Sequence, residues 1–197
     1  MRGKEDDYLA LFDSFRNGKK VKHSLKDDLT DFYHNNRAVV YTYFMKVTGS
    51  RDVSEDLTQE TFFQAVTSIH RFKGNSSLKT WLLQIARNIY RNKVRTWVKD
   101  RDLFNDEDIN EQADHSFDPQ TVSIENQTKQ DIQEILLRLP DDYRDVLIYK
   151  EVHGLSHTEI AQILNKTPQT TKVILYRAKQ KFRDLYKNEV VSYDESM

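Results

Sequence analysis

The chain has 197 residues, of which 30 are Lys or Arg and 31 are Asp or Glu, leaving a net charge of −1. Hydrophobic residues make up only 38%, with five glycines and three prolines, so small helical cores are favoured over the turn-rich build of an all-β fold. The absence of cysteine excludes a disulfide framework, a thiolate zinc site and a thiol switch within the chain. No stretch has the length and apolarity of a membrane span, and the N-terminus lacks a secretory hydrophobic segment, so a cytoplasmic protein without membrane insertion is expected.

Residues 1–24 are charged, with Tyr8, Leu11, Phe12 and Phe15 at helical spacing, compatible with a short amphipathic helix or an unstructured extension. From about Asp28 to Val47 a helix is predicted through Leu29, Phe32, Tyr33, Val39, Val40, Tyr43, Phe44 and Val47, and Gly49 with Ser50 ends it. A second runs from Val53 to about Ile69, with Leu57, Phe62, Phe63, Val66 and Ile69 as its apolar positions. After the loop Phe72–Ser77, a third runs from Leu78 to about Val98, buried through Trp81, Leu82, Ile85, Ile89 and Val94. Residues 25–101 therefore read as one three- or four-helix bundle.

Residues 102–126 mix acids and amides with little periodicity, the composition of a flexible linker. A second helical set occupies 127–189: Ile132, Ile135, Leu136 and Leu139 form one apolar face, closed by Pro140, and Tyr143, Val146, Leu147 and Tyr149 form the next, closed near Gly154. Two more helices follow, Ser156–Leu164 and Pro168–Tyr186, and residues 190–197 form a C-terminal tail. The fold class is all-α: two small helical domains joined by an acidic linker.

The near-neutral total hides a strong segregation of charge. Arg71 to Arg101 carries nine basic residues against Asp100 alone, and Ile163 to Lys187 carries seven against Asp184 alone. The intervening Asp102 to Gln130 holds eight acids against Lys129. Two cationic surfaces in one chain are the electrostatic footprint of a two-site nucleic-acid binder.

The last two helices have the local chemistry of a helix-turn-helix. Ser156 and Glu159 form a capping-box pattern, Asn165 stands where the turn requires a left-handed residue, and Thr167 followed by Pro168 opens the next helix. Ile160, Ile163, Thr171 and Leu175 are expected along the seam. On the outer face lie Gln169, Thr170, Lys172, Val173, Tyr176, Arg177, Lys179 and Gln180, which with Thr167 at the helix start form the candidate DNA-binding set. Gln169, Thr170, Lys172 and Val173 can reach base edges, and Arg177, Lys179 and Lys181 are better placed for phosphates. In the other basic block, Lys73, Gly74, Asn75, Ser76 and Ser77 precede a helical stripe of Trp81, Gln84, Asn88, Arg91, Asn92 and Arg95. Amides there can read an unstacked base while the basic residues hold the backbone, with Trp81 as a supporting wall.

Together these blocks resemble the extracytoplasmic-function sigma factors, a group within the main bacterial sigma family. The resemblance rests on Glu55–Phe62, Phe72–Asn88, Leu139–Leu147 and Gly154–Leu164, and spans about three-quarters of the chain. It implies a sigma region 2-like domain that binds the clamp helices of core RNA polymerase and reads and melts the minus-ten element. It further implies a region 4-like domain that meets the polymerase flap and reads the minus-thirty-five element. Asp56, Gln59, Glu60 and Phe63, spaced to share one helical face, match the core-binding segment. Gly74 to Ser77 and Asn88 match the pocket for a flipped non-template base, Asn92 a neighbouring reader, and Gln84 stands where some relatives have arginine. Thr171, Val173 and Ile174 replace the usual Val, Ser and Arg, so the minus-thirty-five sequence is not transferable from relatives. The linker is implied to thread through the polymerase, and an anti-sigma factor is the implied regulator. No cofactor, metal or catalytic residue is expected.

Two other classes are compatible with parts of the pattern. A stand-alone helix-turn-helix regulator accounts for the second basic block but leaves the Asp56–Glu60 face unused. A metal-dependent nuclease built on Asp52, Glu55, Asp56 and Glu60 has no histidine among its acids, and His153 and His157 straddle Gly154 without further ligands.

Overall fold

The computed structural model describes residues 25–103 and 124–194. The N-terminal extension and most of the acidic linker expected from the sequence lie outside these residues. The chain divides into two compact units, the junction 45–53 grouping with the second. Among the described residues there are seven α-helices and no strand.

The first unit is built on α1 (Leu25–Thr48), α2 (Arg51–Thr67) and α3 (Leu78–Leu103), with a short 3₁₀ turn at Ile69–Arg71. Gly49 ends α1 at φ 69°, a conformation open to a residue without Cβ, and its N–H donates to the Met45 carbonyl at 3.1 Å. The Ser50 hydroxyl accepts from the Val53 N–H at 3.4 Å at the start of α2. The core brings Phe32, Val40, Tyr43 and Phe44 of α1 against Leu57, Phe62 and Ala65 of α2 and Leu82, Leu83, Ala86 and Ile89 of α3. The Phe62 ring meets Phe32 and Tyr33 edge-on, with centroids 5.5 and 4.9 Å away.

Two sequence expectations are corrected here. Val66, an apolar position of α2 in the sequence pattern, is exposed. Phe63, which the pattern places both among the apolar positions and on the Asp56–Gln59–Glu60 face, is 73% exposed and so lies on the latter alone. The covered side of α2 is instead Ser54, Leu57, Thr58, Thr61, Phe62 and Ala65. The Thr58 and Thr61 hydroxyls donate to the carbonyls of Ser54 and Leu57 at 2.6 and 2.7 Å, so these side chains enter the core with their donors satisfied. On α3, Trp81, Ile85 and Val94 are half-buried, and the full burial falls to Leu78, Leu82, Leu83, Ala86 and Ile89.

The second unit contains α4 (Ile124–Arg138), α5 (Asp141–Leu147), a π-helical turn at Ile148–Val152, α6 (His157–Leu164) and α7 (Pro168–Asp194). Leu136, Leu139, Leu147 and Ala178 form a buried cluster, with Ile132, Tyr143, Leu175, Phe182 and Leu185 packed around it. The amphipathic faces of α4 and α5 thus close on the inner face of α7, which continues beyond Tyr186 to Asp194. The π turn carries α5 onward rather than ending it: His153 N–H donates to the Ile148 carbonyl at 3.1 Å, and Leu155 N–H to that of Tyr149 at 2.9 Å. Gly154 turns the chain at φ 67°.

Candidate functional site

The face proposed from Asp56, Gln59, Glu60 and Phe63 is one continuous exposed surface of α2. Spacings of three and four residues align these side chains, and the buried serine and threonines on the opposite side leave them directed outward. Beside this face, Arg37 of α1 grips both Glu55 carboxylate oxygens at 2.5 and 2.6 Å and donates from Nε to the Tyr33 hydroxyl at 3.0 Å. Its guanidinium also lies 5.1 Å from the Tyr41 ring centroid. These bonds, above all that to Glu55, hold the Arg37 pKa above its ordinary value. Glu55, one of the acids of the nuclease alternative, is thereby engaged in a helix-to-helix tie. Among the described residues no group of three or more His, Asp or Glu is arranged to hold a metal ion.

The second surface is the loop before α3 and the outward stripe of that helix. Gly74 adopts φ 69°, and Lys73, Gly74 and Asn75 are exposed, with Ser76 and Ser77 half-buried. Ser77 caps α3: its Oγ accepts from the Thr80 N–H at 3.1 Å and lies 2.8 Å from the Thr80 hydroxyl. Phe72 packs on Trp81 at 4.9 Å between centroids, so the half-buried tryptophan braces the loop against the helix. Asn88, Arg91, Asn92 and Arg95 are exposed and Gln84 half-buried, one row of amides and guanidiniums.

The third surface is α6–α7. Ser156 closes a full capping box: its Oγ accepts from Glu159 N–H at 3.2 Å, while Glu159 Oε2 accepts from Ser156 N–H at 2.8 Å. Asn165 sits in the left-handed region at φ 53°, ψ 50°, and Thr167 Oγ1 accepts from Thr170 N–H at 3.1 Å to start α7. Ile160, Ala161, Ile163 and Thr171 are buried in the seam, Leu175 partly. The Thr171 hydroxyl is 3.2 Å from His157 Nδ1, tying the two helices together. Burial lowers the His157 pKa, and Lys150 and Lys172 lower it further. Gln169, Thr170, Lys172, Val173, Tyr176, Arg177 and Lys179 are all exposed.

Three contacts of this surface were not anticipated from the sequence. Lys179 Nζ lies 2.7 Å from Glu151 of the π turn, so a phosphate contact from Lys179 requires that pair to exchange. Lys166 pairs with Asp142 at 3.1 Å. Gln180 Nε2 donates to the Tyr176 hydroxyl at 2.9 Å. The first two join residues distant in sequence and left no local signal; the third, one helical turn apart, is a pairing that helical spacing permits.

Comparisons with known proteins agree with this organisation. A Sigma-70 region 2 family model matches residues 32–99, and a Sigma-70, region 4 model matches residues 129–182. The ECF RNA polymerase sigma factor SigM of Bacillus subtilis is 30% identical over 164 residues, covering 83% of this chain and 96% of the relative. The RNA polymerase sigma factor YlaC of the same organism is 30% identical over 177 residues, covering 89% of this chain and 98% of its own. In fold, the sigma factor RpoE, solved in complex with the anti-sigma factor NepR from Bartonella quintana, covers 81% of this chain and 97% of its own at a TM-score of 0.66 and 24% identity. The region 2 and region 4 helices define a protein of the Sigma-70 class. Within that class, the chain belongs to the extracytoplasmic-function RNA polymerase sigma factors.

Proposed function

We propose that this sigma factor docks on core RNA polymerase through the Asp56–Gln59–Glu60–Phe63 face of α2 and reads a promoter with two separate surfaces. The loop Lys73–Ser77 and the α3 row from Trp81 through Gln84, Asn88, Arg91 and Asn92 to Arg95 capture the minus-ten element as it melts. Helix α7, through Thr167, Gln169, Thr170, Lys172, Val173, Tyr176, Arg177 and Lys179, enters the minus-thirty-five major groove. The reading is carried by one observation: a polar, acidic helix face bearing an aromatic side chain 73% exposed coexists with two basic surfaces in a single chain. A stand-alone regulator has no use for that face.

In this reading the chain performs no catalysis. It directs promoter-specific initiation by the polymerase, working in the cytoplasm where the polymerase resides. Capture of an unstacked base offsets an unpairing cost of a few kcal/mol per base. The Arg37–Glu55 tie holds α1 and α2 in register beside the docking face. RpoE and CnrH, relatives in fold, were solved with the anti-sigma factor NepR and with the cytosolic domain of CnrY, and an anti-sigma partner covering the same docking face is the corresponding regulator here. The test is transcription in vitro from fragmented source genome by sigma-free bacterial core polymerase supplemented with this protein. New transcripts sharing an upstream two-part motif are expected. Absence of initiation with folded protein and active core would return the chain to the stand-alone class.

A further inference from the structure

The exposed side of α7 is divided in a way the count of basic residues conceals. Opposite the buried line of Thr171, Leu175 and Ala178 stands a row at steps of four, three and four residues: Gln169, Val173, Tyr176 and Gln180. No member of that row is charged. Lys172 and Lys179 flank it on one side, Thr170 and Arg177 on the other, so Thr170 and Lys172, expected at base edges from the sequence, stand at the margins instead. A helix in a major groove presents its outermost row to the base edges and its flanks to the two phosphate walls. The charge of α7 is thus set for the walls, and the bases meet amides and apolar surface.

Within that row, Val173 is 42% exposed and Tyr176 64%, although both are large and hydrophobic. The tyrosine is anchored by the Gln180 amide at 2.9 Å. Val173 lies one turn before it, near the end of the helix that leads into the groove, and carries two methyl groups with no hydrogen-bonding function. The only apolar group that a base edge offers in the major groove is the C5-methyl of thymine. We propose that Val173 is a specificity-determining residue that reads a thymine methyl in the minus-thirty-five element. This rests on the reading of α7 as the groove-entering helix and adds the base class it selects.

The test uses the full-length chain. Random duplexes are enriched for binding at low salt, and in parallel for transcription when the chain is combined with core polymerase. Each thymine of the enriched upstream element is then replaced by deoxyuridine, which removes only the methyl group. One position is expected to lose roughly four-fold in affinity, the magnitude of one buried methyl. Val173→Ala should abolish that difference while leaving the other positions unchanged, and Val173→Ile should retain it. Failure to enrich any duplex, equal tolerance of uracil at every position, or a methyl effect undiminished in Val173→Ala overturns the inference. Methyl-dependent duplex binding without any transcription would leave the inference standing and defeat the sigma reading instead.

Discussion

Helices α3 and α7 both present basic surfaces, but they arrange the charge in opposite ways. On α3 the guanidiniums of Arg91 and Arg95 stand in the same outward row as Asn88 and Asn92. On α7 the outward row from Gln169 to Gln180 is uncharged, and Lys172, Lys179 and Arg177 lie to its sides. A duplex has phosphates on both walls and base edges between them, so a helix that reads it needs charge at its margins. A single strand carries its phosphates on one track beside the bases, so reader and anchor can share one row. In the proposed reading, the difference in charge placement distinguishes a strand-capturing surface from a groove-reading one, although the two blocks look alike in composition.

The largest effect that would sharpen this contrast is expected at Asn88. Asn88→Ala should reduce open-complex formation on the order of 100-fold, as loss of pocket contacts worth a few kcal/mol requires, while core affinity stays within about two-fold. Open complexes followed by permanganate reactivity, with core binding measured separately, decide it; equal losses in both would dissolve the pocket assignment. On α7, Lys172→Ala should weaken duplex binding to all sequences alike, by roughly ten-fold at low salt, and should lower the slope of log affinity against log salt by about one. A loss confined to one promoter sequence would instead make Lys172 a base reader and blur the division between centre and margin.

A smaller effect is expected at the turn between α6 and α7. Asn165→Ala places a Cβ without a compensating polar group at φ 53° and should cost about 1 kcal/mol, whereas Asn165→Gly should be nearly neutral. Thermal unfolding of the two variants checks this, and identical melting temperatures would show that the turn relaxes. The smallest effect concerns pH. His157 has its pKa held below the ordinary 6.5, so the folded chain takes up this proton less readily than the unfolded one. Its contribution is complete above about pH 6.5 and is lost as pH falls toward the depressed folded value. The melting temperature should therefore decline between pH 7 and 5.5 more steeply in the native chain than in His157→Gln. Parallel declines would remove His157 from the account.

Much of the second unit was legible in the sequence because its signals are local. Ser156, Glu159, Asn165, Thr167 and Pro168 each act on backbone groups within a few residues, and the structure forms the predicted capping box, left-handed turn and helix start. The first unit was harder. Phe63 and Val66 fit the apolar spacing of α2 as well as Phe62 does, and hydrophobicity alone does not say which of them finds cover. The π turn at Ile148–Val152 escaped the pattern, since its hydrogen bonds differ from helical ones by a single residue and its residues are as apolar as those of a helix.

The sequence by itself determined the helices and their ends, the separation into two basic blocks about an acidic segment, and the family to which the chain belongs. These depend on hydrogen bonds, periodicity and charge within short windows. Only the tertiary structure decided which side of each helix is covered, because burial depends on what residues far away in the chain supply. Thr58 and Thr61 are inside while Phe63 is outside, Glu151 holds Lys179, and an uncharged row from Gln169 to Gln180 is left as the outermost line of the first turns of α7. Each is a matter of which surfaces remain once the cores have closed.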